Sequence, residues 1–260
     1  MPDWLQIVLL GIIEGITEFL PVSSTGHLLI AQQWLDRQSD VFNVFIQSGA
    51  VLAVLVVFKE RSLQLVIHWR DAEVRDYLFK MGAAFGITCV GGLALKMSDF
   101  ELPETATPVA LALLVGGILF VGLEAWLKGK PLSETITWPI AVAIGVGQLV
   151  AAVFPGASRS GTTILVAMAM GLNRKMAVEF TFLLGVPTLL AAGAVELLGA
   201  LKDEGGFTEP IGPLILGTVI SAVTAFAAVK WLLGFLQRNT FVAFGWYRIV
   251  LGIVVLILVK

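Results

Sequence analysis

Charge is scarce in this chain: lysine, arginine, aspartate and glutamate make up 14% of its 260 residues, where a soluble domain carries roughly 25%. The basic share is smaller than the acidic one, giving a formal net charge of −2. No basic stripe exists to neutralise phosphates, so nucleic acid is not among the expected partners. Cys89 is the only cysteine, which excludes an internal disulfide; in the apolar run FGITCVGG it reads as a small packing residue. Histidine occurs twice, as His27 and His68. The start, MPDWLQIVLL, has neither a basic n-region nor an obvious small-residue cleavage site, and does not read as a signal peptide.

What fills the chain instead is oil. Hydrophobic residues make up 57% of it and the mean hydropathy is +0.91. Apolar runs of about 18 to 25 residues recur along its length, enough to cross a hydrocarbon core at about 1.5 Å per residue. A β-barrel would show alternating strands of roughly ten residues instead. The expected fold is therefore an all-α polytopic membrane protein, a single integral membrane domain over 1–260. Spans are expected near 41–58, 78–97, 108–127, 178–201, 211–236 and 241–259. Two further apolar stretches, 4–34 and 137–170, are broken by PVSSTGH and PGASRSG.

Charge orients these segments. Linker 59–80 holds Lys59, Arg61, Arg70, Arg75 and Lys80, and Lys128, Lys130, Arg174, Lys175, Lys230 and Arg238 mark other basic connections. Asp99, Glu101 and Glu104, and then Asp203, Glu204 and Glu209, make two connections acidic. Lysine and arginine excess marks the cytoplasmic side. Six transmembrane helices satisfy the alternation only if each broken stretch is a re-entrant helix-loop-helix hairpin that returns to its own side. Both termini then lie outside. Non-helical backbone at that depth must be buried in protein or line a cavity, so two such loops point to a site.

The halves also match. GIIEGITEFLPVSSTG aligns with GVGQLVAAVFPGASRS at an offset of 134, pairing Gly11 with Gly145, Glu14 with Gln148, Pro21 with Pro155 and Ser24 with Ser158. Each half is one hairpin plus three spans, and an odd number of spans inverts the second copy. The expectation is an inverted-topology repeat of approximately 1–130 and 131–260, its two loops meeting from opposite faces.

EGITEFLPVSSTGH concentrates two carboxylates, four hydroxyls and a histidine in this apolar background. Glu14 and Glu18, four apart, stack on one helix face about 6 Å apart. A membrane carboxylate is costly and faces a cavity or a partner. The pair either shares a proton or holds a hard divalent cation, Mg²⁺ or Ca²⁺, through its oxygens. Ser23, Ser24 and Thr25 suit helix capping as well as phosphate contact, and His27 can serve as nucleophile or acid/base. His68, beside Trp69 and Arg70, reads as interfacial. In the second loop Ser158, Arg159 and Ser160 offer hydroxyls and a planar guanidinium suited to phosphate, helped by a helix N-terminus near Gly161. Gln47 and Glu179 are polar residues inside spans, explained equally by packing. Arg248 is expected to snorkel or to pair with a buried acid. Trp4, Trp34, Trp126, Trp138 and Trp231 fit an aromatic belt.

EGITEFLPVSSTGH, PGASRSGTT, GLNRKMAVEFTFLLGVP and YRIVLG together resemble the undecaprenyl-diphosphate phosphatase family of the bacitracin-resistance type, over nearly the whole chain. The resemblance implies a hydrolase of the bacterial cytoplasmic (inner) membrane that removes the terminal phosphate of undecaprenyl diphosphate. That returns the carrier lipid to peptidoglycan and envelope-polymer synthesis, and it removes the form bacitracin binds. The family's acidic motif falls on Glu14 and Glu18, its serine–histidine segment on Ser24 and His27, and its arginine motif on Ser158, Arg159 and Ser160. The resemblance further implies divalent-cation dependence and a site opening to the periplasmic side. Ser24 with His27 as base is preferred as nucleophile over a His27 phosphoenzyme, with direct attack by water open. A carrier or flippase using Glu14, Glu18 and His27 as a proton relay is the alternative. Polyprenyl diphosphate and membrane lipid are the expected partners, with a homodimer left open.

Overall fold

The computed structural model describes residues 2–31, 33–98, 105–202 and 210–259. The six acidic residues that marked the outer connections lie outside the described residues. Among those described there are eleven helices and no strand, only an isolated bridge between Ser133 and Leu172. The helices are α1 (Asp3–Thr17), α2 (Ser24–Ala31), α3 (Asp40–Val57), α4 (Lys59–Ile67), α5 (Ala72–Met97), α6 (Ala106–Leu127), α7 (Trp138–Val153), α8 (Arg159–Ala169), α9 (Arg174–Ala200), α10 (Ile211–Phe235) and α11 (Val242–Leu258).

Five of them, α3, α5, α6, α9 and α10, are long and apolar enough to cross a membrane. The expected last span is α11, only 17 residues long. Side chains such as Val90, Leu93, Val115, Ile118, Val219, Val223, Val250 and Ile257 are exposed, as suits helices whose outer faces meet lipid rather than water. All five tryptophans assigned to a belt are exposed too.

Each broken stretch folds as two helices, α1 with α2 and α7 with α8. The prolines set the breaks, because Pro21 and Pro155 lack an N–H and bar their predecessors from helical geometry. Phe154 accordingly turns extended, at φ −113° and ψ 89°. The chain restarts at Ser23 and Ser158, whose φ values of 71° and 69° are positive, a conformation side-chain-bearing residues rarely adopt. Ser158 Oγ accepts from Gly161 N at 3.1 Å and Ser23 Oγ from Gly26 N at 3.4 Å, so each serine caps the helix it begins.

Packing joins the two halves. α1 lies on α10 and α7 on α5, α3 packs against α10 and α9, and α6 packs against α11. Glycine makes the first two approaches close: a Cβ at Gly11 would meet Gly217 O at 2.9 Å, and one at Gly145 would meet Ala84 O at 2.8 Å.

Two expectations need correction. The linker 59–80 is largely helical: α4 occupies its start, and α5 begins at Ala72, burying Lys80 within that helix beside Asp76. Apolar Leu63, Val66 and Ile67 on α4 are exposed, the pattern of a helix lying in the interface plane. His68 closes that helix and is exposed. Cys89 is exposed on α5, so it packs against no core.

Candidate functional site

The two proline loops touch. Ser160 Oγ reaches Glu18 O at 3.3 Å and Leu20 O at 3.2 Å. Arg248 on α11, fully buried, donates to Pro21 O at 3.3 Å, Gly156 O at 3.1 Å, Ala157 O at 3.0 Å and Ala112 O at 3.2 Å. The carbonyls freed where the helices break are thus met by one guanidinium, which binds both loops to α6. Arg248 neither snorkels nor pairs with an acid, as its sequence context suggested. Its partners are backbone carbonyls, which leave no mark in sequence.

Beside this seam sits a carboxylate with two partners. Glu18, just past the end of α1, accepts from Ser24 Oγ at 3.0 Å on Oε2, and its Oε1 lies 3.5 Å from Arg159 Nη2. Arg159 comes from the opposite loop. Its guanidinium lies against the α9 backbone, where Gly185 leaves room for it, and stands 5.4 Å from the Phe19 ring centroid. Nη1 reaches Thr181 O at 3.5 Å, whereas Nε and Nη2, though buried, make no hydrogen bond; nor does Thr181 Oγ1. Leaving such donors unmade inside a protein costs about 1–3 kcal/mol each. A buried guanidinium held this way has capacity to spare for an incoming anion.

Glu14, one turn earlier, is 4% exposed. It lines a cavity of about 610 Å³ together with Ser24, Thr25, Asn43, Gln47, Pro155 and Glu196. Ser24 therefore belongs both to the Glu18 pair and to the cavity wall. Gln47, which sequence could not separate from a packing residue, faces this cavity. Glu179 does not: it lies 3.3 Å from Arg61 Nε at the other end of α9.

His27 is placed apart. Its Nδ1 lies 2.7 Å from Ser23 O, an acceptor only, so the neutral ring carries its proton there. Nε2 then accepts from the Tyr247 hydroxyl at 2.6 Å, with the two rings stacked at 5.6 Å. The expected contact between His27 and Ser24 is not formed among the described residues, and Ser24 donates to Glu18 instead. The structure thus gathers Glu14, Glu18, Ser24, Thr25 and Arg159. Ser23, Ser158 and Ser160 are engaged in capping and in stitching the loops, with Ser158 Oγ 3.2 Å from Ser160 Oγ. Tyr247 and Thr181 lie within YRIVLG and GLNRKMAVEFTFLLGVP but were not singled out there, because nothing in their chemistry distinguishes them from ordinary membrane-helix residues.

Among the described residues no three histidine, cysteine, aspartate or glutamate side chains converge as a metal cage. Both oxygens of Glu18 are engaged, while the Glu14 carboxylate meets no donor among the described residues and faces the cavity. This donor set fits a hard cation that takes one carboxylate and completes its shell with water and phosphate oxygens.

A chain with lipid-facing helices outside, and a carboxylate, a hydroxyl and an under-used guanidinium where two broken segments meet inside, is a multi-pass membrane protein with a buried polar site. It belongs to the family described as Bacitracin resistance protein BacA, which matches residues 7–254. An undecaprenyl-diphosphatase of Rhizobium etli (strain ATCC 51251 / DSM 11541 / JCM 21823 / NBRC 15573 / CFN 42) is 51% identical over 255 residues, covering 98% of this chain and 96% of that one. One of Xanthomonas axonopodis pv. citri (strain 306) is 45% identical over 258 residues, covering 99% and 97%.

Proposed function

We propose that the protein hydrolyses undecaprenyl diphosphate to undecaprenyl phosphate and inorganic phosphate where the two loops meet. Family membership supports the activity. The observation that carries the site is the buried Arg159 guanidinium, whose Nε and Nη2 make no hydrogen bond, ion-paired with Glu18, whose other partner Ser24 lines the cavity. The carrier alternative is not favoured, since the relatives bear a phosphatase's name.

In the proposed reaction Arg159 holds the terminal phosphoryl oxygens, positioning them and stabilising their charge. Ser24 Oγ attacks the terminal phosphorus as Glu18 takes its proton. The bond from that phosphorus to the bridging oxygen breaks, and undecaprenyl phosphate leaves. Water then attacks the phosphoserine, the bond to Ser24 Oγ breaks as Glu18 returns its proton to that oxygen, and both protons of the water leave on the released dihydrogen phosphate. A divalent cation at Glu14, when bound, would supply further neutralisation of the diphosphate. His27, tied to Ser23 and Tyr247, holds α2 against α11 in this scheme.

The proposed setting is the bacterial cytoplasmic membrane, with six spans, α3, α5, α6, α9, α10 and α11, and two re-entrant hairpins. Support for an inverted repeat of 1–130 and 131–260 comes from exchanged packing partners: α1 on α10 answers α7 on α5, and α3 on α10 answers α9 on α5. The cavity lies at the start of α3 and the far end of α9, and the acidic stretch Asp203, Glu204 and Glu209 follows that end of α9 in sequence, which supports an opening on the outer face. All the site residues come from one chain, so the chemistry requires no second copy.

The test is phosphate release from a prenyl diphosphate by pure protein in detergent. Wild type should turn over with a divalent ion and fail without one, while Ser24→Ala and Glu18→Gln should each lose at least about a thousandfold. Trapped phosphate should be acid-stable and alkali-labile, as a serine ester is. Inactivity with every divalent ion tried would sink the hydrolase reading, and acid-labile phosphate would move the nucleophile to His27.

A further inference from the structure

A second chamber lies at the opposite ends of α3 and α9. Its volume is about 550 Å³, and Val57, Phe58, Leu233 and Leu236 give it an apolar floor. Five charged side chains also line it: Lys59, Glu60, Arg61, Lys175 and Glu179. The carboxylate of Glu179 is taken by Arg61, whose guanidinium lies 4.3 Å over the Tyr77 ring and donates through Nη1 to Gln64 at 2.8 Å. Glu60 is exposed in the first turn of α4.

Two ammonium groups are left over. Lys59 and Lys175 are exposed and form no ion pair among the described residues, although they come from different helices and line one chamber. Next to Arg61 the hydroxyls of Ser62 and Tyr77 have no hydrogen-bond partner among the described residues, though neither residue lines the chamber. The depth is defined as well. α4 carries exposed Leu63, Val66 and Ile67 next to its basic residues, so it lies in the interface plane and sets the chamber at headgroup level.

We propose that this chamber binds the phosphate-bearing headgroup of an anionic phospholipid from the leaflet facing the basic linkers. Lys59 and Lys175 grip the phosphate oxygens, and the apolar floor receives the first carbons of the acyl chains. Basic recesses between helices on that side of a membrane suit such headgroups. The site is separate from Ser24 and Arg159 and needs none of the chemistry proposed for them.

Native mass spectrometry of the full chain in detergent tests it, with phosphatidylglycerol or phosphatidylcholine added. Wild type should retain phosphatidylglycerol at least tenfold over phosphatidylcholine. The Lys59→Gln/Lys175→Gln double variant should lose about tenfold of that retention while its phosphate release from a prenyl diphosphate stays unchanged. The control double variant Lys128→Gln/Lys230→Gln should retain the lipid as wild type does. Adding inorganic phosphate separates the sources of the chemistry: displacement of the lipid shows that phosphate alone is read, and persistence shows that the whole lipid is. Equal retention of the two lipids by wild type would overturn the proposal. So would unchanged retention in the chamber variant, or an equal loss in the control variant.

Discussion

Replacing Arg248 by methionine removes the one side chain that ties both proline loops to the helical frame. Methionine is of similar length and apolar, so little cavity results. What changes is that the carbonyls of Pro21 and Gly156 lose their donor, while Ala157 O keeps Thr162 Oγ1 at 3.3 Å and Ala112 O keeps its bond within α6. An unmade bond to a buried carbonyl costs about 1–3 kcal/mol, and taking the middle of that range for the two gives about 4 kcal/mol. Removing a buried guanidinium recovers part of its desolvation penalty, leaving a net loss of about 2–3 kcal/mol. For a chain of this size each 1 kcal/mol shifts Tm by about 2–4 °C, so the variant should melt about 4–12 °C lower in detergent. Activity should fall further than stability suggests. Ser24 and Arg159 sit on the loops Arg248 holds, and a displacement of about 1 Å of reacting groups costs about a hundredfold in kcat. Arg248→Lys keeps the charge but concentrates its donors at one point, and should fall between wild type and methionine. Thermal unfolding and steady-state turnover, measured on the same preparations, give both numbers. A methionine variant that melts within 1–2 °C of wild type and turns over normally would show that the loops hold their own shape, and the clamp would be refuted.

Other substitutions probe the site itself. Arg159→Lys keeps the charge but not the fork, and should lower kcat by about a hundredfold or more; near-normal turnover would mean that Arg159 only balances Glu18. Gly185→Ala places a methyl group against the Arg159 guanidinium and should raise KM for the diphosphate about tenfold or more. Gly82→Ala, with nothing within 4 Å of the added Cβ, should leave kinetics unchanged; equal effects in the two would show that the contact with Arg159 is not what matters. Tyr247→Phe frees His27 Nε2 at a cost of about 1 kcal/mol, and turnover should change less than about threefold. A thousandfold change would bring His27 into the reaction and displace Glu18 as the proton acceptor.

Hydropathy located the long helices well because lipid leaves the backbone no option but to satisfy itself within each span. α3 at Asp40–Val57 and α6 at Ala106–Leu127 fall almost where the apolar runs end. α4 was hidden because Lys59, Glu60 and Arg61 open it and its apolar residues follow in a short run, and a net count of charge reads such a segment as a linker. In the site, cost made Glu14, Glu18 and Arg159 visible, since an ionisable residue in oil needs a reason. The partners of each were not visible. Arg248 could be seen as unusual, but its targets are carbonyls, and every residue has one. His27 misled for the opposite cause: sequence proximity to Ser24 suggested a pair, whereas the turn of α2 directs the imidazole to Tyr247 on α11, 220 positions away.

The register between the halves sharpens how one site arises from two loops. The sequence offset of 134 pairs Ser24 with Ser158, yet the positive-φ caps are Ser23 and Ser158, 135 apart. Gly156, at φ +91°, is the additional residue after the proline. Carried forward, the shifted register pairs Ser24 with Arg159, Thr25 with Ser160 and Gly26 with Gly161. In the proposed repeat, the nucleophile and the guanidinium then hold the same place in their respective hairpins, and both turn to the one carboxylate of Glu18. The first helices of the hairpins diverge in the same sense. Glu14 faces the cavity, while Gln148, its counterpart, donates to Thr88 Oγ1 at 2.8 Å in the packing of α7 on α5. Acid and hydroxyl stay on one copy and the cation on the other. Opposite charges so placed attract across the seam, which a pair of identical loops, each with its own glutamates or its own arginine, would not do.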